Sequence, residues 1–173
     1  MKADDRRAAI IDRLADHVLA EGLSGSSLRP LAKAAGISDR MLLYYFKDKA
    51  EVIAATLDCI AARLTGLLAA RRSPQPLPLD RLRAELVAAL MDEALWPYMR
   101  VWLDVAAQAA YGDAALHAIG ERIGRGFLAW GESQLDSATP EQRAIDAARL
   151  LVTIEGNLLL KSLGLEDVAR RAV

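Results

Sequence analysis

Residues 39–49 combine charged, aromatic and apolar side chains in the order DRMLLYYFKDK. A guanidinium such as that of Arg40 can donate to two acceptors on guanine, and a carboxylate such as that of Asp39 can accept from cytosine. Met41 and Leu43 can each contact the methyl group of thymine. Four side chains in or near this stretch suit phosphate oxygens instead: Arg29, Tyr44, Tyr45 and Lys49. The chemistry predicted is recognition of a DNA duplex, in which some side chains specify bases and others fix the position.

Two short helices joined by a tight turn should hold this stretch in place. Ser26 or Ser27 can cap the first helix, because a serine oxygen accepts a hydrogen bond from an amide of the opening turn. Gly36 can reverse the chain, because glycine adopts positive φ without a penalty from Cβ. Ser38 can then cap a second helix over residues 39–46. These signals, at this spacing, predict a helix-turn-helix.

Apolar residues at helical spacing should form the core of this motif. Leu42 and Phe46 lie four residues apart and therefore face the core, which leaves the other faces of the second helix for a DNA major groove. The first helix carries its own apolar stripe: Leu28, Leu31, Ala32 and Ala35. Because helices this short are unstable alone in water, a further helix predicted over residues 4–21 should cover them.

A long helix should follow from residue 48 to about residue 70. Asp48 can cap it, which would bring Lys49 and free backbone amides to a phosphate. Its apolar residues alternate at steps of four and three, as expected for a helix that is packed along its length: Ile53, Leu57, Ile60, Leu64 and Leu67.

A family resemblance rests on three features: the heptapeptide AKAAGIS over residues 32–38, the pair Tyr45 and Phe46, and Lys49. Together they resemble the amino-terminal DNA-binding domain of the TetR family of bacterial transcriptional regulators, over residues 8–57. The usual aromatic residue two places before Tyr45 is Leu43 here, and the glycine or proline common after the start of the recognition helix is Arg40.

The resemblance implies an all-α fold in two domains. Residues 1–50 would form a three-helix DNA-binding domain with the helix-turn-helix and the start of the linking helix. Residues 51–173 would form a helical domain for ligand binding and dimerisation. The implied function is that of a homodimeric repressor, which binds a pseudo-palindromic operator in double-stranded DNA and responds to a small-molecule effector.

Composition and charge distribution fit this interpretation. The chain is 53% apolar and 26% charged with a net charge of −1, which is typical of a folded, helix-rich protein. Residues 24–49 contain five basic and two acidic side chains, whereas residues 80–173 contain ten basic and fourteen acidic ones, so a polyanion should prefer the amino-terminal part. One cysteine excludes an internal disulfide. We expect no signal peptide, no segment long and apolar enough to span a membrane, and a cytoplasmic location.

An aromatic and methionine cluster is the candidate effector site. Such residues beside a helix junction can line a cavity for an apolar or aromatic ligand, although ordinary core packing explains the composition equally well. The resemblance favours a pocket, and its candidate residues are Met91, Trp96, Met99, Trp102, Leu103 and Phe127.

A second interpretation is a helical ligand carrier or a metal-dependent enzyme. Asp113, His117 and Glu121 repeat every four residues and could present three metal ligands on one helix face. Solvent-exposed charge with a pairing inside the helix explains the same spacing more simply. No nucleophile motif and no glycine loop after a strand is found, so the sequence predicts no cofactor and no catalytic residue.

The carboxy-terminal part should consist of helices over residues 79–95, 97–111, 113–135 and 140–163, followed by a short tail over residues 166–173 that could be helical. Thr139 and Pro140 predict a capped start for the fourth of these. That helix is apolar over more than half its circumference, which is more than one neighbour can cover. With the helix over 113–135 it could form a four-helix interface in a symmetric dimer. A subunit contact would also account for close approach at three glycines within the latter helix: Gly120, Gly124 and Gly131.

Overall fold

The computed structural model describes residues 3–23, 27–71 and 75–171, most of which are helical. The helices are α1 (Ala3–Glu21), α2 (Leu28–Ala35), α3 (Asp39–Tyr45), α4 (Lys49–Ala70), α5 (Leu79–Leu90), α6 (Trp96–Ala110), α7 (Ala114–Ser133), α8 (Pro140–Ser162) and α9 (Glu166–Arg171). The described residues contain no strand, and one isolated bridge joins Leu77 to Leu135. The predicted all-α class is confirmed.

The chain divides into two compact units, and each is assembled from two separate stretches. Unit 1 comprises Met1–Leu64 and Arg100–Gly120, and unit 2 comprises Thr65–Met99 and Glu121–Val173. The helix-turn-helix belongs to unit 1. The domain boundary at residue 50 stays a prediction.

In unit 1, α2 packs against both α1 and α3 around a shared apolar core. Five side chains of this core are at most 2% exposed: Leu14, Val18, Leu31, Leu42 and Phe46. Burying such side chains stabilises the fold by about 1.5–3 kcal/mol each, which the short helices α2 and α3 need because they would not persist alone. The predicted roles of Leu42 and Phe46 are confirmed.

The turn of the helix-turn-helix follows the sequence signals. Gly36 has φ +70°, and its N–H donates to the Lys33 carbonyl at 3.0 Å, while the Ile37 N–H donates to the Ala32 carbonyl at 3.0 Å. This left-handed glycine closes α2 and satisfies carbonyls of its last turn. At the other end Ser27 occupies the cap position, but its side chain makes no capping hydrogen bond. Ser26 lies outside the described residues.

The end of α1 is held by α6 within unit 1. The Asp104 Oδ2 accepts from the Leu23 N–H at 3.1 Å, and the Arg100 Nη2 donates to the Leu19 carbonyl at 3.3 Å. Both bonds satisfy backbone groups that the end of a helix leaves without a partner inside the helix.

Unit 2 is organised around α8, which packs against α5 and α9. Thr139 caps it by accepting from the Gln142 N–H at 3.1 Å, with Pro140 at the first helical position, as predicted. Lys161 near its end donates to the Met91 carbonyl at 2.6 Å and to Glu93 Oε1 at 3.1 Å, and its Nζ lies 4.4 Å from the Trp96 ring centroid. The tail forms the short helix α9.

Two sequence-based expectations need correction. The helix α5 ends at Leu90 and not near Leu95, because Asp92 starts a turn by accepting from the Ala94 N–H at 2.8 Å.

On α4 the buried stripe ends with Leu68, whereas Leu67 is 38% exposed, because after Leu64 the stripe takes a step of four residues instead of three. At Gly120 a Cβ would lie 3.3 Å from Val105 Cγ1, so the close neighbour within the chain is a side chain of unit 1. A subunit contact at the three glycines stays a prediction.

The expectation that no segment is long and apolar enough to span a membrane is also wrong. By length and composition alone, α4 is long and apolar enough to cross one. Within unit 1, however, Val52, Ile53, Leu57 and Ile60 of this helix are buried in the protein. These apolar side chains of α4 therefore pack in the core of unit 1.

Candidate nucleic-acid interface

The second helix of the motif, α3, exposes most of the side chains that the sequence singles out. Asp39 and Arg40 are exposed, as are Met41, Leu43 and Tyr44, of which Tyr44 is 75% exposed. Tyr45 is half-buried, and its ring packs edge to face on that of Tyr44 with centroids 5.2 Å apart. Because the remaining face of α3 is buried in the core of unit 1, these side chains are carried on a fixed support.

The start of α3 is capped as predicted. Ser38 Oγ accepts from the Met41 N–H at 3.2 Å, and Asp39 stands in the first turn, where the helix dipole favours a negative charge. The cap fixes the direction in which the first residues of α3 project, Arg40 among them.

The start of α4 brings Lys49 to the same unit. Asp48 Oδ1 accepts from the Glu51 N–H at 2.9 Å, so the predicted cap is confirmed, and Lys49 is the exposed first residue of the helix. All five basic residues of the amino-terminal cluster are exposed: Arg29, Lys33, Arg40, Lys47 and Lys49. The positive charge predicted for this part is therefore available to a polyanion.

Arg7 connects α1 to the end of α3 and the start of α4. Its Nη2 donates to Glu51 Oε1 at 2.9 Å and its Nε to the Tyr45 carbonyl at 3.4 Å. Its guanidinium carbon also lies 4.6 Å from the centroid of the Phe46 ring. One side chain thus contacts both the end of α3 and the first turn of α4.

Glu51 completes this connection by accepting from the Lys47 N–H at 2.7 Å through Oε2. The Lys47 amide, and after it the Arg7 guanidinium, hold the pKa of the Glu51 carboxyl below its ordinary value. The carboxylate is therefore ionised at neutral pH, as its two donors require.

Sequence analysis missed both Arg7 and Glu51 as positioning residues. They lie 44 positions apart, and no periodicity connects an arginine of the first helix with a glutamate of the fourth. Arg13 was missed in the same way: its Nη1 donates to the Ala35 carbonyl at 2.9 Å and so satisfies the end of α2. The one available signal was the position of Glu51 three residues after the predicted cap Asp48, a spacing too common to be informative.

Comparison with known proteins identifies the class to which this interface belongs. Residues 10–56 match the sequence profile of the bacterial regulatory proteins of the tetR family. The HTH-type transcriptional regulator BetI of Burkholderia ambifaria is 32% identical over 167 residues, covering 90% of this chain and 81% of the relative. The chain belongs to the TetR family. It is a DNA-binding transcriptional regulator.

Other relatives agree with the TetR-family assignment. BetI of Paraburkholderia phymatum is 37% identical over 101 residues, which is 57% of this chain and 51% of that relative. The crystal structure of a TetR-family transcriptional regulator from Cytophaga hutchinsonii superposes with a TM-score of 0.74 at 16% identity, covering 99% of this chain and 90% of the other. The crystal structure of a transcriptional regulator from Rhodococcus sp. Rha1 superposes with a TM-score of 0.70 at 24% identity. The superposition covers 96% of this chain and 90% of the other. At this identity the two structures show a shared fold alone.

The candidate effector residues of this TetR-family protein are distributed over both units. Met91, Trp96, Met99 and Phe127 belong to unit 2, and Trp102 and Leu103 to unit 1. Met99 is buried, and the other five are half-buried. Their role in ligand binding stays a prediction.

The metal-enzyme and carrier alternatives find no support in the relatives, which are named as transcriptional regulators. Asp113 Oδ1 accepts from the Leu116 N–H at 2.9 Å and so caps α7, while Glu121 pairs with Arg125 at 2.8 Å. Throughout residues 3–23, 27–71 and 75–171, no three His, Cys, Asp or Glu side chains are grouped as a metal site requires. Burial raises the pKa of the Cys59 thiol, which favours its unreactive protonated form.

Proposed function

We propose that this regulator is a homodimeric, ligand-responsive repressor that binds a pseudo-palindromic operator. The observation that carries the proposal is the outward face of α3, where five neighbouring side chains of four chemical types are exposed while the opposite face is buried. A rigid helix with an exposed, chemically varied face suits the major groove, whose base edges present distinct donors, acceptors and methyl groups.

The individual roles follow from side-chain chemistry. Arg40 would donate to guanine and Asp39 would accept from cytosine, while Met41 and Leu43 would contact thymine methyl groups. Phosphate contacts would come from four other residues: Arg29, Tyr44, Tyr45 and Lys49. The domains are proposed as residues 1–50 for DNA binding and 51–173 for regulation and dimerisation.

The dimer is supported by exposed apolar side chains on α8 and at Leu163, the residue that follows the helix. Ile145 is 48% exposed, Val152 72%, Leu159 53% and Leu163 64%. Their spacing of seven, seven and four residues places them along one side of the helix. An exposed apolar stripe of this length indicates a protein interface. A symmetric contact through α7 and α8 would cover the stripe and set two copies of α3 about one DNA turn, ~34 Å, or somewhat more apart.

The small-molecule effector remains part of the proposal, with the aromatic and methionine cluster of Met91, Trp96 and Met99 as one candidate site. An effector can control DNA binding only as far as it binds one arrangement of the dimer better than the other. We also propose a cytoplasmic location, where the DNA partner is found, with no membrane partner and no catalytic activity.

Recovery of genomic fragments with the purified protein tests this function. We expect the fragments to share a pseudo-palindromic sequence, and we expect Arg40→Ala to recover a less uniform set at lower yield. A monomeric protein that binds no duplex of any sequence at low salt would overturn the proposal. Because non-specific binding depends steeply on salt, the selection should be repeated at two salt concentrations.

A further inference from the structure

Unit 1 contains a cleft of about 280 Å³, and of the residues that line it only Lys49 has a part in the proposed function. It lies where the end of α1 and the end of α6 meet the starts of α4 and α7. None of the six candidate effector residues lines it. Its volume is just below the range of about 300–1,000 Å³ that is usual for ligand sites, so a ligand would have to be small.

Apolar side chains form much of the lining of the cleft. Leu23, Ile53, Leu116 and Ile119 all line it, and each is itself buried in unit 1. Because these four residues come from α4, α7 and the end of α1, the apolar wall is part of the packed protein and is present before any ligand binds. A hydrocarbon group placed against it would leave water, which is the main source of affinity in such sites.

Three polar side chains also line the cleft: Lys49, Gln108 and Asp113. Asp113 is engaged already, because its Oδ1 accepts from the Leu116 N–H at the start of α7, where the helix dipole stabilises its negative charge. Gln108 donates to the Asp104 carbonyl at 3.4 Å, which leaves its side-chain oxygen to accept. Lys49 is exposed and contributes the one cationic group among the residues that line the cleft.

We propose that this cleft binds a small amphipathic carboxylate, with its hydrocarbon part against Leu23, Ile53, Leu116 and Ile119 and its carboxylate on Lys49. The charge of the lysine selects an anion, and the apolar wall selects a molecule with a hydrocarbon chain over a simple inorganic ion. Because Lys49 is also the proposed phosphate contact, the bound carboxylate competes with DNA for the same ammonium. This second part rests on the proposed function; the binding site itself does not.

The test uses octanoate as the probe and the full chain without DNA. Binding is followed by calorimetry, with octanol as a control of equal chain length that lacks the charge. We expect octanoate to bind about tenfold more tightly than octanol, a difference that corresponds to one charge-assisted contact. We expect Lys49→Gln to remove that difference and to leave octanol binding unchanged.

A matched pair of variants locates the site. Ala115 is exposed and lines the cleft, whereas Ala118 is exposed on the same helix outside it. Ala115→Trp should fill the cleft and weaken octanoate binding by at least about tenfold, and Ala118→Trp should not change it. Circular dichroism and thermal melting establish that both variants fold. If either does not, the comparison of Lys49→Gln with the parent protein still decides the matter.

Absence of octanoate binding at millimolar concentration, or equal loss in both tryptophan variants, would overturn the site. Octanoate that binds as expected but leaves the affinity for a DNA duplex unchanged would overturn the competition. A protein that binds octanoate and binds no duplex even without it would contradict the proposed function and leave the site supported.

Discussion

Arg40 and Lys49 are both exposed cations of unit 1, yet their positions suggest different contributions to DNA binding. Arg40 projects from the second position of a capped helix, where a planar guanidinium can meet a base edge. Lys49 is the first residue of α4, where an ammonium and nearby amides suit a phosphate. Arg40 would therefore contribute to sequence specificity, and Lys49 would position the protein on the DNA phosphates.

Replacing these two residues separately tests the distinction. Arg40→Ala should cost about 1–3 kcal/mol at a specific site and relax the base preference, whereas Lys49→Ala should weaken all duplexes alike and reduce the salt slope by about one. Fluorescence anisotropy with specific and scrambled duplexes at several salt concentrations measures both effects. Arg81→Ala, an exposed arginine of α5, is the control for charge alone. Identical losses and identical salt slopes for Arg40→Ala and Lys49→Ala would contradict the assigned roles.

Ser38 and Ser27 offer a second comparison between single residues. Both stand at cap positions, but only the Ser38 side chain accepts from a backbone N–H. Ser38→Ala should therefore lower the free energy of unfolding by about 0.5–2 kcal/mol, and Ser27→Ala should lower it by less. Urea denaturation of the two variants decides the point, and an equal effect would show that the Ser38 hydrogen bond adds no stability.

At the scale of elements, the orientation of α3 depends on contacts that lie behind it. Phe46 is 2% exposed and lies beneath the Arg7 guanidinium, while Arg7 also reaches the last carbonyl of α3 and the Glu51 carboxylate. If α3 is the recognition helix, these contacts would hold its exposed side chains in one orientation relative to DNA.

Removing the buried ring should affect stability, and removing an exposed ring should affect binding. Phe46→Ala should cost about 3–5 kcal/mol of unfolding free energy, because it deletes a fully packed side chain. Tyr44→Ala, at a position that is 75% exposed, should leave stability within about 0.5 kcal/mol and weaken DNA binding. Denaturation and anisotropy measurements on both variants test this separation, and a large loss of stability in Tyr44→Ala would refute it.

The contact between Glu51 and its donors should make part of the stability depend on pH. The pKa of Glu51 lies below its ordinary value of 4.5 in the folded protein, so the ionised form favours folding. The contribution is complete above the ordinary pKa and is lost as the pH falls through the lower, folded-state pKa. The difference in unfolding free energy between the parent protein and Glu51→Gln should thus be largest near pH 7 and shrink below about pH 4.5. A difference that does not change with pH would rule out the ionised contact.

At the scale of the whole molecule, the exposed stripe of α8 predicts the oligomeric state. Val152→Asp places a charge at the most exposed apolar position of this stripe and should convert the proposed dimer to a monomer. Ala88→Asp, at an exposed position of α5, is the control for an added carboxylate. Analytical ultracentrifugation distinguishes the two outcomes. A Val152→Asp variant that remains dimeric would place the interface elsewhere.

The helix-turn-helix was the most predictable part of the molecule because its signals are local. Ser38, Gly36 and Asp48 each act on amides or carbonyls within a few residues, and the structure confirms all three. The end of α5 was not predictable from periodicity, because apolar residues continue past Leu90 while Asp92 forms a turn. The contacts of Arg7 with Glu51 and of Lys161 with Met91 join residues far apart in the chain, where no spacing rule applies.

The assembly of unit 1 from two separate stretches has a consequence for chimeric regulators. A graft that transplants residues 1–64 onto another protein leaves behind Arg100–Gly120, and with it the Asp104 carboxylate that binds the Leu23 amide and the Arg100 guanidinium that binds the Leu19 carbonyl. The recipient must supply equivalent groups, or the transplanted first helix will fray at its last turn. Where the recipient lacks such groups, residues 1–64 and 100–120 of this chain should be transplanted together.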